Sequence, residues 1–328
     1  MLRDEMITVF GGSGFIGRYV VRALAKAGYR VRVATRRPHL ANVLKPMGVV
    51  GQIQLVQANL RNPASIERAL DGAHGVVNLV GILHEGGRQT FRSLQAQGAK
   101  IVAEKAAAQG ITRFIQISAI GADDQSASKY AQTKAAGEAA VKAAIPTATI
   151  LRPSVVFGPG DDFFNMFASL ARFVPALPLI GGGKTRFQPV FAGDVAGAVL
   201  AAFEDDKAQG RTFELGGPRV YTFKEILEFI LEVTYRKRFL IPLPFFAAGI
   251  LGQVFDILGA LPFVKPLITS DQVKLLKSDN VVNKDDVSIG QLSDLGIKPE
   301  TMESIVPAYL VPYREGGQFA EPMPLQDE

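Results

Sequence analysis

The chain has 328 residues, a formal net charge of +5, 48% hydrophobic and 20% charged residues, and no cysteine. That length suits one large α/β domain with an appendage, with enough apolar material for a true core. The lack of cysteine excludes disulfides and thiolate metal sites. Three scattered histidines argue against a zinc site and no long basic run marks a nucleic-acid arm, so neither metal nor nucleic acid is an expected partner.

Five residues precede the strand-like run Met6-Ile7-Thr8-Val9-Phe10. That spacing leaves no room for a signal or transit peptide, so the expectation is a chain that starts in the compartment of its synthesis, a bacterial cytosol. Short apolar runs at 7–10, 31–34, 53–57, 75–80, 114–118 and 148–151 alternate with helical patterns at 15–27, 63–70, 90–109 and 126–144. Six strands joined by helical crossovers predict a Rossmann-type, doubly wound parallel sheet. Beyond Arg152-Pro153 the pattern turns irregular: helices are predicted at 163–173 and 194–203, a turn at Gly181-Gly182-Gly183, a short strand at 213–215, and a helix at 223–233 capped by Thr222.

These patterns give residues 1–152 as a nucleotide-binding domain that 186–214 rejoins. Residues 153–185 and 215–315 form a smaller C-terminal α/β part, and 316–328 a Gly-, Pro- and acid-rich tail expected to lack order. Residues 239–268 are almost uncharged and follow Arg236-Lys237-Arg238. Pro242, Pro244, Pro262 and Pro266 keep any apolar helix there shorter than the ~20 residues of a membrane span. A basic flank beside a short apolar helix suits a lipid surface or an apolar partner groove, while a helix buried in the second part fits the periodicity equally well.

Gly11-Gly12-Ser13-Gly14-Phe15-Ile16-Gly17 connects the first strand to the first helix. Gly11 and Gly14 let the backbone turn and approach a pyrophosphate, Gly17 lets the helix pack close, and the helix N-terminus offers unpaired N–H groups and a positive dipole end. The second strand runs into Thr35-Arg36-Arg37, where an NAD site would place a carboxylate. Guanidinium groups there suit a 2′-phosphate, so NADPH is the expected cofactor. Ser118 ends the fifth strand, and Tyr130 and Lys134 share a face of the next helix. An ammonium beside a phenol lowers its pKa, so Tyr130 is a candidate general base, Ser118 a candidate substrate hydrogen bond, and Lys134 a candidate ribose ligand.

Together with Arg152-Pro153-Ser154-Val155-Val156-Phe157-Gly158-Pro159-Gly160, Gln188-Pro189-Val190-Phe191-Ala192-Gly193-Asp194-Val195-Ala196 and Leu215-Gly216-Gly217-Pro218, these motifs resemble the extended short-chain dehydrogenase/reductase superfamily over about the first 235 residues. Phe163-Phe164-Asn165-Met166-Phe167-Ala168-Ser169, Asn78-Leu79-Val80-Gly81, Ser128-Lys129-Tyr130, Leu240-Ile241-Pro242-Leu243-Pro244 and Asp294-Leu295-Gly296-Ile297 resemble, over nearly the whole chain, the subunit 9 family of the alpha subcomplex of respiratory complex I. The resemblance adds Asn59, Leu60, Val80, Gly81, Pro153, Ser154 and Val155 to the expected nucleotide contacts, with Asn59 where the superfamily usually has an adenine-contacting Asp. It implies an accessory subunit that binds NADPH as a folding cofactor and sits near the junction of the peripheral and membrane arms. By itself it would not be catalytic. Complex I subunits and the lipid surface would be met through residues 236–268, at the cytoplasmic face of a bacterial inner membrane. The complete Ser118, Tyr130, Lys134 set keeps a second expectation, a soluble NADP-dependent reductase, epimerase or dehydratase.

Overall fold

The computed structural model describes residues 2–259 and 268–319. Six strands, β1 (Met6–Phe10), β2 (Arg30–Thr35), β3 (Ile53–Gln57), β4 (Gly75–Asn78), β5 (Arg113–Ile117) and β6 (Thr149–Pro153), alternate with α1 (Phe15–Lys26), α2 (Pro63–Leu70), α3 (Gln97–Ala108) and α4 (Lys129–Ala144). Then follow β7 (Val156–Phe157), α5 (Phe163–Phe173), β8 (Ala176–Ile180), β9 (Arg186–Phe187), β10 (Val190–Phe191), α6 (Ala192–Glu204) and β11 (Thr212–Leu215). The rest comprises β12 (Tyr221–Thr222), α7 (Phe223–Val233), β13 (Phe239–Leu243), α8 (Phe245–Gly259), α9 (Ser270–Leu275), β14 (Gly290–Gln291) and α10 (Met302–Tyr309).

The main sheet is parallel throughout, in the order β3-β2-β1-β4-β5-β6-β11-β14. The fold is thus a Rossmann-type doubly wound sheet. The order reverses between β1 and β4, and ligands of such sheets bind at the carboxyl ends of the strands beside that point. β11 and β14 widen the sheet beyond the six strands of the sequence pattern. β14 has only two residues, too few for any periodicity, and it lies far along the chain within the stretch expected to belong to the smaller part.

Helices cover both faces. α1 presents Gly17, Val20, Val21 and Leu24 to the sheet at the i, i+3, i+4, i+7 spacing, and α6 packs beside it over a core that includes Leu292 and Leu295. α2, α3 and α4 cover the opposite face around Phe114, Val102 and Ile150. A separate apolar cluster joins α5, β8, α7, Ala248 of α8, Val273 of α9 and Val306 of α10. α7 begins at a reciprocal cap, Thr222 taking the Glu225 N–H while the Glu225 carboxylate takes the Thr222 N–H.

Residues 239–268 are not one helix. Phe239–Leu243 pair in parallel with β8, and Pro244 separates that strand from α8. Leu261, Pro262, Phe263 and Pro266 lie outside the described residues, as does the tail beyond Phe319. Phe245 packs against the second core, whereas Phe246, Ile250 and Val254, one turn apart on α8, are 75%, 61% and 47% exposed. The preceding arginines are partly used inside the fold: Arg236 donates to the Tyr313 carbonyl at 2.9 Å and Arg238 to the Ala171 carbonyl at 2.8 Å. No helix among the described residues is long and apolar enough to cross a membrane.

Candidate nucleotide and active site

The loop after β1 is shaped by two glycines. Gly11 has φ +80°, a conformation L side chains rarely adopt. A Cβ on Gly17 would collide with the Gly11 carbonyl, so only glycine permits α1 to start this close to the strand. Gly14 occupies the N-cap and no side chain caps the helix, which leaves first-turn N–H groups open to an anion. Phe15 and Ile16 are half-buried beside it. The Tyr19 hydroxyl donates to the Pro159 carbonyl at 3.3 Å, drawing the loop after β7 over this end of α1.

At the end of β2 the Thr35 hydroxyl lies 3.4 Å from that of Ser13, so the two loops form one polar rim. Arg36 and Arg37 are exposed, Arg36 donating to the Gln89 side chain at 2.9 Å. Among the described residues no carboxylate ion-pairs with either guanidinium. The Asn59 side-chain oxygen accepts the Arg61 N–H, so its amide group is what remains to offer outward. Leu60 is buried in the core under α3.

Ser118 follows β5 and is buried, and its Oγ is the one buried side-chain polar atom among the described residues without a hydrogen-bond partner. Such an orphan hydroxyl fits a site completed by a ligand. Lys134 is also buried. Its Nζ donates to the Ile117 carbonyl at 3.3 Å, stands 5.7 Å from the Tyr130 ring centre, and faces Gly81, where an added Cβ would lie 3.3 Å away. Burial lowers its pKa to about 8, partly opposed by Glu138. Tyr130 packs edge-on against Phe91 with ring centres 5.7 Å apart. Burial pushes its phenol up to about 12, the reverse of the expected lowering, because desolvation disfavours the charged phenolate. In this state Tyr130 holds its proton at neutral pH and is a hydrogen-bond donor rather than a phenolate.

Val80 takes its place through its N–H to the Asn78 side chain at 3.2 Å, next to Gly81. Pro153 and Ser154 are buried and Val155 half-buried along the far wall. The Ser154 hydroxyl is engaged within the chain, 2.7 Å from the Asn280 side-chain oxygen. The structure therefore brings Tyr130, Lys134 and Gly81 together, with Lys134 reaching the carbonyl of Ile117 next to Ser118, and gathers Ser13, Gly14, Thr35 and Arg36 at the other end. The uncapped helix N-terminus and the close glycine turn are the features by which doubly wound folds take up a pyrophosphate.

Sequence reasoning missed several groups. Gln95, in the π-helical turn Arg92–Ala96, donates to the Ile82 carbonyl at 2.8 Å and accepts from Thr133, locking the helix before α3 to α4. Asp161 accepts from the Tyr309 hydroxyl at 2.6 Å, tying α10 to the loop over α1. Arg152 clasps Glu138 with two bonds of 2.9 and 2.6 Å. All three partnerships cross between elements. His74 accepts the Met6 N–H, a packing role. No group of three or more potential metal ligands occurs among the described residues.

A profile of the NAD dependent epimerase/dehydratase family matches residues 7–216, the span holding the glycine loop, Ser118, Tyr130 and Lys134. The chain belongs to this family. A mitochondrial NADH dehydrogenase [ubiquinone] 1 alpha subcomplex subunit 9 of Arabidopsis thaliana is 36% identical over 94% of this chain and 78% of its own length. A ceramide reductase of Caulobacter vibrioides is 34% identical over 79% of this chain and 81% of its own. An NADPH-dependent quinone oxidoreductase of Escherichia coli, solved with NADPH, superposes with a TM-score of 0.72 at 18% identity, covering 93% of this chain and 99% of that one. That last likeness bears on the fold alone.

Proposed function

We propose that this family member is an accessory, NADPH-binding structural subunit of respiratory complex I. It would sit peripherally at the cytoplasmic face of a bacterial inner membrane and contact other subunits and lipid through residues 236–268. The observation that carries the reading is the outward stripe of Phe246, Ile250 and Val254 on α8, with Phe239 and Ile241 of the preceding strand β13 also exposed. Each large apolar group left in water forgoes about 1.5–3 kcal/mol, so this face calls for a cover. The likeness to subunit 9 continues beyond the family profile and through this part of the chain, which supports the same cover. Phe246→Glu should release the protein from the membrane-bound assembly on native fractionation and leave nucleotide-dependent melting close to the parent. Wild-type protein that fractionates alone in the cytosol would overturn the proposal.

The nucleotide would run from the first turn of α1 at its pyrophosphate to Thr35, Arg36 and Arg37 at its 2′-phosphate. Asn59, Leu60 and Val80 would flank the adenine side. Tyr130 and Lys134 would hold the nicotinamide ribose, and Pro153, Ser154 and Val155 would line the nicotinamide. With no acid at the end of β2, NADPH should raise the melting temperature more than NADH at equal concentration. Arg36→Ala should shrink only the NADPH effect. Equal shifts with both nucleotides in the wild type would refute the choice of cofactor.

The orphan Ser118 hydroxyl, next in the chain to the Ile117 carbonyl that Lys134 reaches, favours a second reading, a reductase acting on a carbonyl of an amphiphilic substrate, as the ceramide reductase likeness suggests. Bound NADPH would supply the hydride, Ser118 would hold the carbonyl oxygen, and Tyr130, protonated at neutral pH, would give it a proton.

A further inference from the structure

α4 carries both Tyr130 and Lys134, and its N-terminus is capped from far along the chain. Asp271, in the first turn of α9, accepts the Lys129 N–H on Oδ1 at 2.8 Å. Its Oδ2 accepts the Tyr130 N–H at 3.1 Å and the Ser128 hydroxyl at 2.7 Å. Ser128 Oγ in turn accepts the Ala131 N–H at 3.3 Å. One carboxylate, directly and through one serine, thereby satisfies the three leading N–H groups of the helix and lies at the positive end of its dipole. A local cap would have needed Ser128 alone.

Asp271 is itself held in place from the second core. Val273 of α9 is buried there, and Thr269 caps α9 in a reciprocal box with Gln272. The Ser270 N–H donates to Asp256 of α8 at 3.2 Å. Gly252 of α8 packs so closely on Ser270 that an added Cβ would lie 2.8 Å from its nitrogen. Nine residues past Asp271, Asn280 holds the Ser154 hydroxyl and donates to the Ile120 carbonyl at 3.3 Å. Residues 269–280 therefore form a strap from the second core that grips the candidate site at two places.

We propose that Asp271 is a positioning residue. By fixing the first turn of α4 it sets Tyr130 for the nicotinamide ribose, so an element outside the Rossmann sheet controls affinity for the nicotinamide half of the nucleotide. This rests on the nucleotide placement proposed above. The adenine half, bound at α1 and β2, is out of its reach.

Titration calorimetry with NADPH and with adenosine 2′,5′-bisphosphate, which lacks the nicotinamide ribose, separates the halves. Asp271→Ala should weaken NADPH about ten-fold, the scale of losing a strong helix cap, and leave the bisphosphate within about two-fold. Asp271→Asn, which keeps one acceptor oxygen, should fall between, and it carries the comparison if the alanine variant does not fold. In a Tyr130→Phe background Asp271→Ala should cost little more, because the two residues act on one contact. Equal weakening of both ligands would make Asp271 a general stabiliser and overturn the proposal, as would unchanged NADPH affinity or full additivity with Tyr130→Phe. Wild-type protein that binds neither ligand would instead refute the underlying nucleotide placement.

Discussion

Arg152→Ala is expected to lower the unfolding free energy by about 3–5 kcal/mol, the cost typical of removing one partner from a buried ion pair. Its guanidinium is bonded twice to Glu138 and lies 3.9 Å from Glu214, and both carboxylates are almost fully buried. Glu214 keeps the Asn283 N–H at 2.8 Å, but Glu138 would lose both its guanidinium hydrogen bonds in the interior and retain only the charge of Lys134 nearby. Thermal melting should fall by on the order of ten degrees for a chain of this size. The double variant Arg152→Met, Glu138→Leu should recover much of that loss, since it removes both charges and retains their volume. A single variant that melts within a degree or two of the parent would mean that water reaches the pair and screens it.

The second large effect falls on ligand binding. Gly14→Asp should abolish stabilisation by nucleotide, which at 100 times the dissociation constant is worth about 2.7 kcal/mol in the parent. The ligand-free fold should tolerate the change: Gly14 is exposed, has φ −75°, and an added Cβ meets only the Gly11 carbonyl at 3.3 Å. The added carboxylate would stand where the pyrophosphate approaches and repel it. If the nucleotide is a structural element of an assembled complex, Gly14→Asp should also reduce assembly, while Tyr130→Phe leaves assembly and electron transfer nearly intact. Under the reductase reading Tyr130→Phe should instead cost about 10²–10⁴-fold in turnover of a carbonyl substrate. Full nucleotide stabilisation of Gly14→Asp would remove the glycine loop from the binding site.

Much of the sheet was legible in the sequence because its strands are long enough to carry a pattern. The runs predicted at 7–10, 31–34 and 53–57 correspond to Met6–Phe10, Arg30–Thr35 and Ile53–Gln57, and the helices Phe163–Phe173 and Phe223–Val233 fall where periodicity and the Thr222 cap put them. Two-residue strands such as Gly290–Gln291 have no period to read. β13 was hidden for another reason: Phe239–Leu243 is apolar on both sides and shows no alternation, so although the prolines marked it off from the apolar helix nothing in it read as a strand. At the candidate site, the Tyr130 and Lys134 spacing placed both on one helix face. The direction of the Tyr130 pKa shift was not legible, because it depends on burial that includes Phe91, a residue from another element. Asp271 and Glu138 were missed because their partners come from distant turns, 142 positions from Lys129 and 14 from Arg152 respectively.

β14 closes the sheet edge at β11 only after the chain has passed through most of the second core. On a ribosome the six strands through Pro153 emerge first, yet the second core waits for Val306 and Leu310. At about 5–20 residues per second that delay is on the order of ten to thirty seconds. Meanwhile the β11 edge and the apolar face of α5 stand open to other nascent chains. The late-arriving C-terminal segment thus acts as a seal on a nearly finished nucleotide fold. The interval before it arrives is when this protein has most need of a chaperone.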